Sequence, residues 1–205
     1  MNSLTRRTLI AAAFALAAGA AFGSATVGQP APAFTATDTS GKAVSLADFK
    51  GKHVVLEWVN PGCPYVVKHY GSGNMQGTQR EAAAKGVVWL SVNSTAADAR
   101  DFLKPAEMAA WMQQQKAAAT ATLMDADGKV GRAYGARTTP HMYIIDPAGK
   151  LVYAGAIDSI PSGRVADIAN ATNHVKVALA ESLAGKPVST PVTRPYGCSV
   201  KYSSM

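Results

Sequence analysis

Apolar and polar positions along this chain of 205 residues fall into alternating strand-like and helix-like stretches. The clearest strand is 54–59, where Val54, Val55, Leu56, Trp58 and Val59 form a β-branched-rich run suited to a strand covered on both faces. Glu57 interrupts it. The turn formers Asn60, Pro61 and Gly62 follow, and Pro64 suits the first position of a helix, where its missing N–H costs nothing. Residues 76–85 have helix composition and stop at Gly86, and 87–93 read as the next buried strand. Pro105 opens a helix in which Met108, Trp111 and Met112 recur at helical spacing, a core stripe rather than a cofactor site. A strand at 121–125, a turn, a short helix, Thr139-Pro140, two strands and a helix at 171–184 ending at Gly185 complete the pattern. Strands alternating with helices predict an α/β chain, a sheet with helices on both faces.

The two ends depart from this pattern. Arg6 and Arg7, an alanine-rich apolar run from Leu9 to Phe22, and Gly23 and Ala25 placed for cleavage read as a secretory leader over residues 1–25. Paired arginines fit a twin-arginine or a general secretory signal, and the run is too short for a comfortable membrane span. Residues 26–185 then form one domain. Over 186–205, Pro187, Pro191 and Pro195 preclude a helix and predict an extended tail across the domain. Export points to a periplasmic location, where disulfides are permitted.

With 48% hydrophobic and 16% charged residues, the chain can bury a core of ordinary size. The formal charge of +7 drops by two if Arg6 and Arg7 leave with the leader. The remaining Lys and Arg are scattered, without the basic stripe or aromatic-basic interleaving of a nucleic-acid binder.

Candidate chemistry centres on two cysteines. Cys63 falls at a predicted helix mouth, where unpaired amides and the positive end of the helix dipole favour a thiolate, the form that attacks disulfides and peroxides. The alternative is a small buried hydrophobe. Cys198 rides on the tail, and at about 3 Å per residue the tail reaches any point on a domain of this size. The two thiols therefore pair within the chain, or Cys198 stays free or bonds another molecule. A pair would be a structural staple, worth at most roughly 5 kcal/mol, or a redox pair in which Cys63 attacks and Cys198 resolves the product. Glu57 lies inside an apolar strand, where burial raises a carboxyl pKa toward the range useful for proton transfer unless the group faces an edge or pairs with a cation.

Strand, turn, Cys-Pro and helix resemble the active site of the thioredoxin-like superfamily, in its redoxin and peroxiredoxin-like (AhpC/TSA-type) branch. Residues 27–52 resemble that branch's opening hairpin, and 134–158 its cis-proline segment and closing hairpin. The resemblance implies a three-layer α/β/α sandwich with a central mixed sheet, an N-terminal β-hairpin and an extended C-terminal tail. It also implies a thiol oxidoreductase of antioxidant type without a cofactor. Its partners would be a protein or small-molecule disulfide or a peroxide, and a thiol reductant. Glu57, six residues before Cys63, matches the buried aspartate of thioredoxins, thought to manage the proton of the active-site thiols. Pro64, Thr139 and Pro140 would border the substrate, with Thr139-Pro140 cis and Thr139 presenting its backbone. Arg137 is near enough in sequence to favour a thiolate, or is simply solvated. The sequence departs from both familiar sites: Val66 replaces the second cysteine of Cys-x-x-Cys, and Leu56 and Asn60 replace the proline and hydroxyl of the peroxiredoxin pattern.

Two rival functions stay open. Cys63, His69 and Met75 could form a copper site of soft sulfur and imidazole ligands, though a lone His at a helix end is usually polar surface. A non-catalytic exported binding module stapled by its disulfide is the other.

Overall fold

The computed structural model describes residues 25–203. Strands β1 (Thr35–Asp38) and β2 (Ala43–Ser45) form an antiparallel hairpin, followed by a 3-10 turn at Leu46–Phe49 that Ser45 and Asp48 cap reciprocally. Then come β3 (Val54–Trp58), helix α1 (Pro64–Gly71), α2 (Asn74–Ala83), β4 (Val88–Asn93), α3 (Pro105–Gln114) and β5 (Ala121–Met124). Next are α4 (Lys129–Tyr134), β6 (Thr138–Thr139), β7 (His141–Ile145), β8 (Leu151–Gly155), α5 (His174–Leu183) and β9 (Cys198–Ser199). Helix α2 begins two residues before the expected 76, because Gly73 takes a left-handed φ of 77° and turns the chain directly from α1 into it.

Seven strands form one mixed sheet in the order β2-β1-β5-β4-β3-β7-β8. Parallel β4 and antiparallel β7 flank β3, so it is central, and all five of its residues are buried. That explains its nearly continuous apolar run. Alternation divides the core. Val55 and Val59 pack with Cys63, Val66, Tyr70 and residues of α2, α3 and α5 on one face. Val54, Leu56 and Trp58 pack with Val130 and Tyr134 of α4 on the other. Met108 and Met112 are buried, and Trp111 meets Tyr70 edge-on with ring centroids 4.9 Å apart.

After α5 the chain becomes a strap along β8, the sheet's edge strand, and covers backbone groups an edge would otherwise expose. Ala154 N–H donates to Pro191 C=O at 3.0 Å and Thr193 N–H returns to Ala154 C=O at 3.2 Å. The approach needs Gly155, since a Cβ there would lie 2.1 Å from Thr193 Oγ1. The strap ends as β9, paired antiparallel with β6. The leader expected over 1–25 lies, except for Ala25, outside the described residues.

Candidate active site

Cys63 is the N-cap of α1, with Pro64 directly inside the helix. Asn60 shapes the turn that delivers it, accepting from Gly62 N–H at 2.7 Å and donating to Thr95 Oγ1 at 3.1 Å and Asp101 Oδ2 at 2.8 Å. This buried role explains an amide at that position. Cys63 is 2% exposed and its thiol donates to Thr139 C=O at 3.0 Å. The Thr139-Pro140 bond is cis. Thr139 and Pro140 are buried, whereas Pro64 is exposed.

Cys198 is brought onto this spot by register: it stands opposite Thr139 in the β6–β9 pair. Gly197 makes the crossing possible, because at its φ of 131° a Cβ would fall 2.0 Å from Thr139 C=O. Beyond it, Val200 N–H donates to Arg137 C=O at 3.0 Å, Ala96 N–H to Lys201 C=O at 2.8 Å, and Lys201 pairs with Asp101. Both cysteines are free thiols in this structure.

The two thiols are displaced in opposite directions. Burial pushes the Cys63 pKa up, but hydrogen bonds from Cys198, from Thr139 and from the Val66 and Cys198 amides outweigh it, so the net shift is downward. Cys198 is raised, first by burial and then because it gives its proton to the hydrogen bond and faces the Cys63 charge. The Thr139 hydroxyl has no acceptor of its own and is a donor available to the thiolate. Arg137 is exposed, and its charge acts on His141 and Tyr143.

Glu57 is fully buried, neither edge-facing nor paired with a cation. Its Oε1 accepts from Tyr70 Oη at 2.8 Å; its Oε2 accepts from Trp89 Nε1 at 2.7 Å, Gln79 Nε2 at 3.1 Å and Ser91 Oγ at 3.2 Å. Burial raises its pKa and the four donors oppose the rise. Among the described residues, neither cysteine is one of its hydrogen-bond partners, so any influence on the thiols is through space. Register could have found part of this cage: Ser91 is the β4 partner of Glu57, and Trp89 shares its face two residues away.

Expected as polar surface, His69 is instead fully buried. Its Nδ1 meets Asn74 Nδ2 at 2.8 Å, and its Nε2 lies 3.3 Å from Tyr196 Oη and 3.7 Å from Asp158 Oδ2. Lys68 beside it is buried too, 3.4 Å from Asp158. Both imidazole nitrogens are thus engaged away from the cysteine. Among the described residues, no group of three or more His, Cys, Asp or Glu side chains is arranged to hold a metal. No described helix is long and apolar enough to cross a membrane. A cleft of about 670 Å³ opens along the strap, and Thr138 and Gly197, chain neighbours of Thr139 and Cys198, form part of its wall.

Comparison with known proteins places this geometry among relatives. Residues 27–154 match the model of the AhpC/TSA family. The chain is 26% identical over 133 residues to the thiol-disulfide oxidoreductase ResA of Bacillus thuringiensis subsp. konkukian, covering 62% of this chain and 67% of that protein. Against ResA of Bacillus subtilis it is 27% identical over 132 residues, covering 61% and 64%. Among solved structures, a hypothetical protein from Sinorhizobium meliloti superposes with a TM-score of 0.76 at 25% identity, over 89% of this chain and 98% of that one. A putative thiol:disulfide interchange protein DsbE from Chlorobium tepidum gives 0.52 at 26% identity, over 64% and 85%. With a family match over more than half its length and a mixed sheet between helical layers, the chain belongs to the AhpC/TSA family and has a thioredoxin-like fold.

Proposed function

We propose that this protein is an exported thiol oxidoreductase in which the Cys63 thiolate attacks a disulfide or a peroxide and Cys198 resolves the product. The observation that carries the reading is the convergence of both cysteines on Thr139, whose carbonyl accepts the Cys63 thiol at 3.0 Å and whose register partner on the strap is Cys198, with the Cys63 pKa lowered and that of Cys198 raised. It favours thiolate on one sulfur and holds a proton on the other, the division of labour that attack and resolution require. With a disulfide, Cys63 forms a mixed disulfide and expels one thiolate. Cys198 then loses its proton and attacks Cys63 Sγ, the second thiolate leaves, and a Cys63–Cys198 disulfide remains. With a peroxide, Cys63 becomes a sulfenic acid and its condensation with Cys198 releases water. Either course moves two electrons from the thiol pair to the substrate, and an external thiol reductant restores the pair. Pro64, Thr139 and Pro140 border the substrate, and Glu57 sets the field beneath the thiol. Residues 26–185 act as the redox domain and 186–205 as the strap, after a leader at 1–25 directs the chain to the periplasm.

The test is the asymmetry of the two cysteines, read by intact mass after one equivalent of oxidant. Cys63→Ser should lose reaction with disulfides and peroxides, whereas Cys198→Ser should keep the first attack and accumulate a mixed disulfide or over-oxidised Cys63. A structural staple loses the same bond either way. Equal, low reactivity with matching losses of thermal stability would leave a stapled binding domain in place of an enzyme.

A further inference from the structure

The strap carrying Cys198 is fastened to α1 by a buried polar cluster that the redox scheme does not use. Lys68 and Asp158 form an ion pair with side chains 0% and 3% exposed. Asp158 Oδ1 accepts from Ile160 N–H at 3.1 Å and from the phenol of Tyr196. The same phenol lies 3.3 Å from His69 Nε2, whose other nitrogen is engaged by Asn74. The Tyr196 ring meets Tyr65 edge-on at 5.7 Å, and the Lys68 ammonium sits 5.8 Å from its centroid. Burial first, then the hydrogen bond to Asp158, raise the Tyr196 pKa and keep the phenol a donor.

Two relationships give this cluster a function. Tyr65, Lys68 and His69 belong to the helix whose N-cap is Cys63, so the element that carries the nucleophile also packs around Tyr196 and, through Lys68, pairs with its acceptor Asp158. Tyr196 is separated from Cys198 by Gly197 alone, at the point where the strap crosses Thr139 too closely to admit a Cβ. Fixing the phenol therefore fixes where the second sulfur falls. A buried ion pair is a poor source of stability, since an apolar pair of similar volume often does as well, but it offers a directional acceptor for one hydroxyl. We propose that Tyr196 is the positioning residue for resolution: its phenol, docked on Asp158, holds the strap so that Cys198 faces Cys63. This rests on the assignment of Cys198 as resolving thiol.

Hydrogen peroxide serves as the probe. It oxidises the Cys63 thiolate to sulfenic acid, releasing hydroxide. Cys198 thiol then displaces water from that sulfur to give the disulfide, or a second peroxide molecule adds oxygen and gives sulfinic acid. The peroxide concentration at which half of Cys63 ends as sulfinic acid, read by intact mass, measures resolution against over-oxidation. Tyr196→Phe keeps the ring against Tyr65 and removes only the hydroxyl. A hydrogen bond to a charged group, worth an order of magnitude in equilibrium, predicts that this midpoint, which compares resolution with over-oxidation after the first step, falls about tenfold in the variant. Tyr196→Leu, which removes the ring as well, should lower it further. An unchanged midpoint in Tyr196→Phe, even with a lowered thermal midpoint, would reduce Tyr196 to a packing residue and overturn the proposal. Wild-type protein that forms sulfinic acid at every peroxide concentration and never the disulfide would instead remove the resolving role of Cys198, and this proposal with it.

Discussion

Thr139 sets the position of both sulfurs: its carbonyl accepts the Cys63 thiol at 3.0 Å, and it is the antiparallel register partner of Cys198. A single residue thus links the helix mouth to the strap, and disturbance of one side is felt on the other.

Gly197→Ala tests that link without touching a thiol. A Cβ at this position would meet Thr139 C=O at 2.0 Å and its carbonyl carbon at 2.8 Å, backbone contacts that no rotamer change relieves, at a φ that side-chain-bearing residues rarely adopt. The strap must lift, and Cys63 then loses the Cys198 donors that help hold its pKa down. The pH midpoint for alkylation of Cys63 should rise in the variant, and disulfide formation after oxidant should slow by at least about tenfold, while the sheet core keeps its stability. A midpoint matching wild type would mean that the strap does not tune the thiol.

The two buried histidines define the acid behaviour. Burial lowers the His69 pKa to about 4, partly opposed by Asp158 and reinforced by Lys68. Burial and the Arg137 charge lower His141 to about 3. Unfolded chains take up these protons near 6.5, so below that pH the unfolded state binds more protons and stability falls as pH drops toward the folded values. Ring resonances of both residues should stay flat from neutral pH until the pH nears 4 for His69. A His69 midpoint near 6.5 would contradict its sealed environment.

How far the sequence reveals this site depends on whether a residue's role is local. Cys63 at a helix mouth is legible because Asn-Pro-Gly ends a strand and Pro64 can only open a helix; both signals lie within a few positions. The burial of β3 on both faces follows from its nearly continuous apolar run. The Glu57 cage is less legible, because Tyr70, Gln79, Trp89 and Ser91 come from α1, α2 and β4, and only tertiary packing makes them converge. Lys68 and His69 are opaque for a different reason. His69 at a helix end reads as polar surface, and Tyr196 and Asp158, returning from far along the chain, enclose it and its neighbour Lys68.

Glu57→Gln separates the charge of this residue from its shape. Every hydrogen bond to the carboxylate is donated to it, three to Oε2 and one to Oε1. A glutamine can present its carbonyl oxygen to Trp89, Gln79 and Ser91 and its amide to Tyr70, whose hydroxyl can turn to accept. The cage therefore survives while ionisation is lost. Burial raises the folded-state pKa of Glu57 above its ordinary 4.5, so between 4.5 and the raised value the folded chain holds a proton the unfolded chain has released. Stability from this group is present below 4.5 and is lost as pH rises through the folded pKa. The buried histidines act in the opposite sense in the same range, so the decline is read as the difference between urea midpoints of the two proteins across pH, with Glu57→Gln gaining stability relative to wild type toward neutral pH. The same variant reports on chemistry: if the Glu57 charge reaches the thiolate through the low-dielectric core, its removal lowers the pH midpoint for Cys63 alkylation and slows disulfide exchange near neutral pH. Parallel stability curves for the two proteins would show that the folded-state pKa of Glu57 is not raised above its ordinary value. An unchanged alkylation profile would confine it to holding β3, β4 and α1 together.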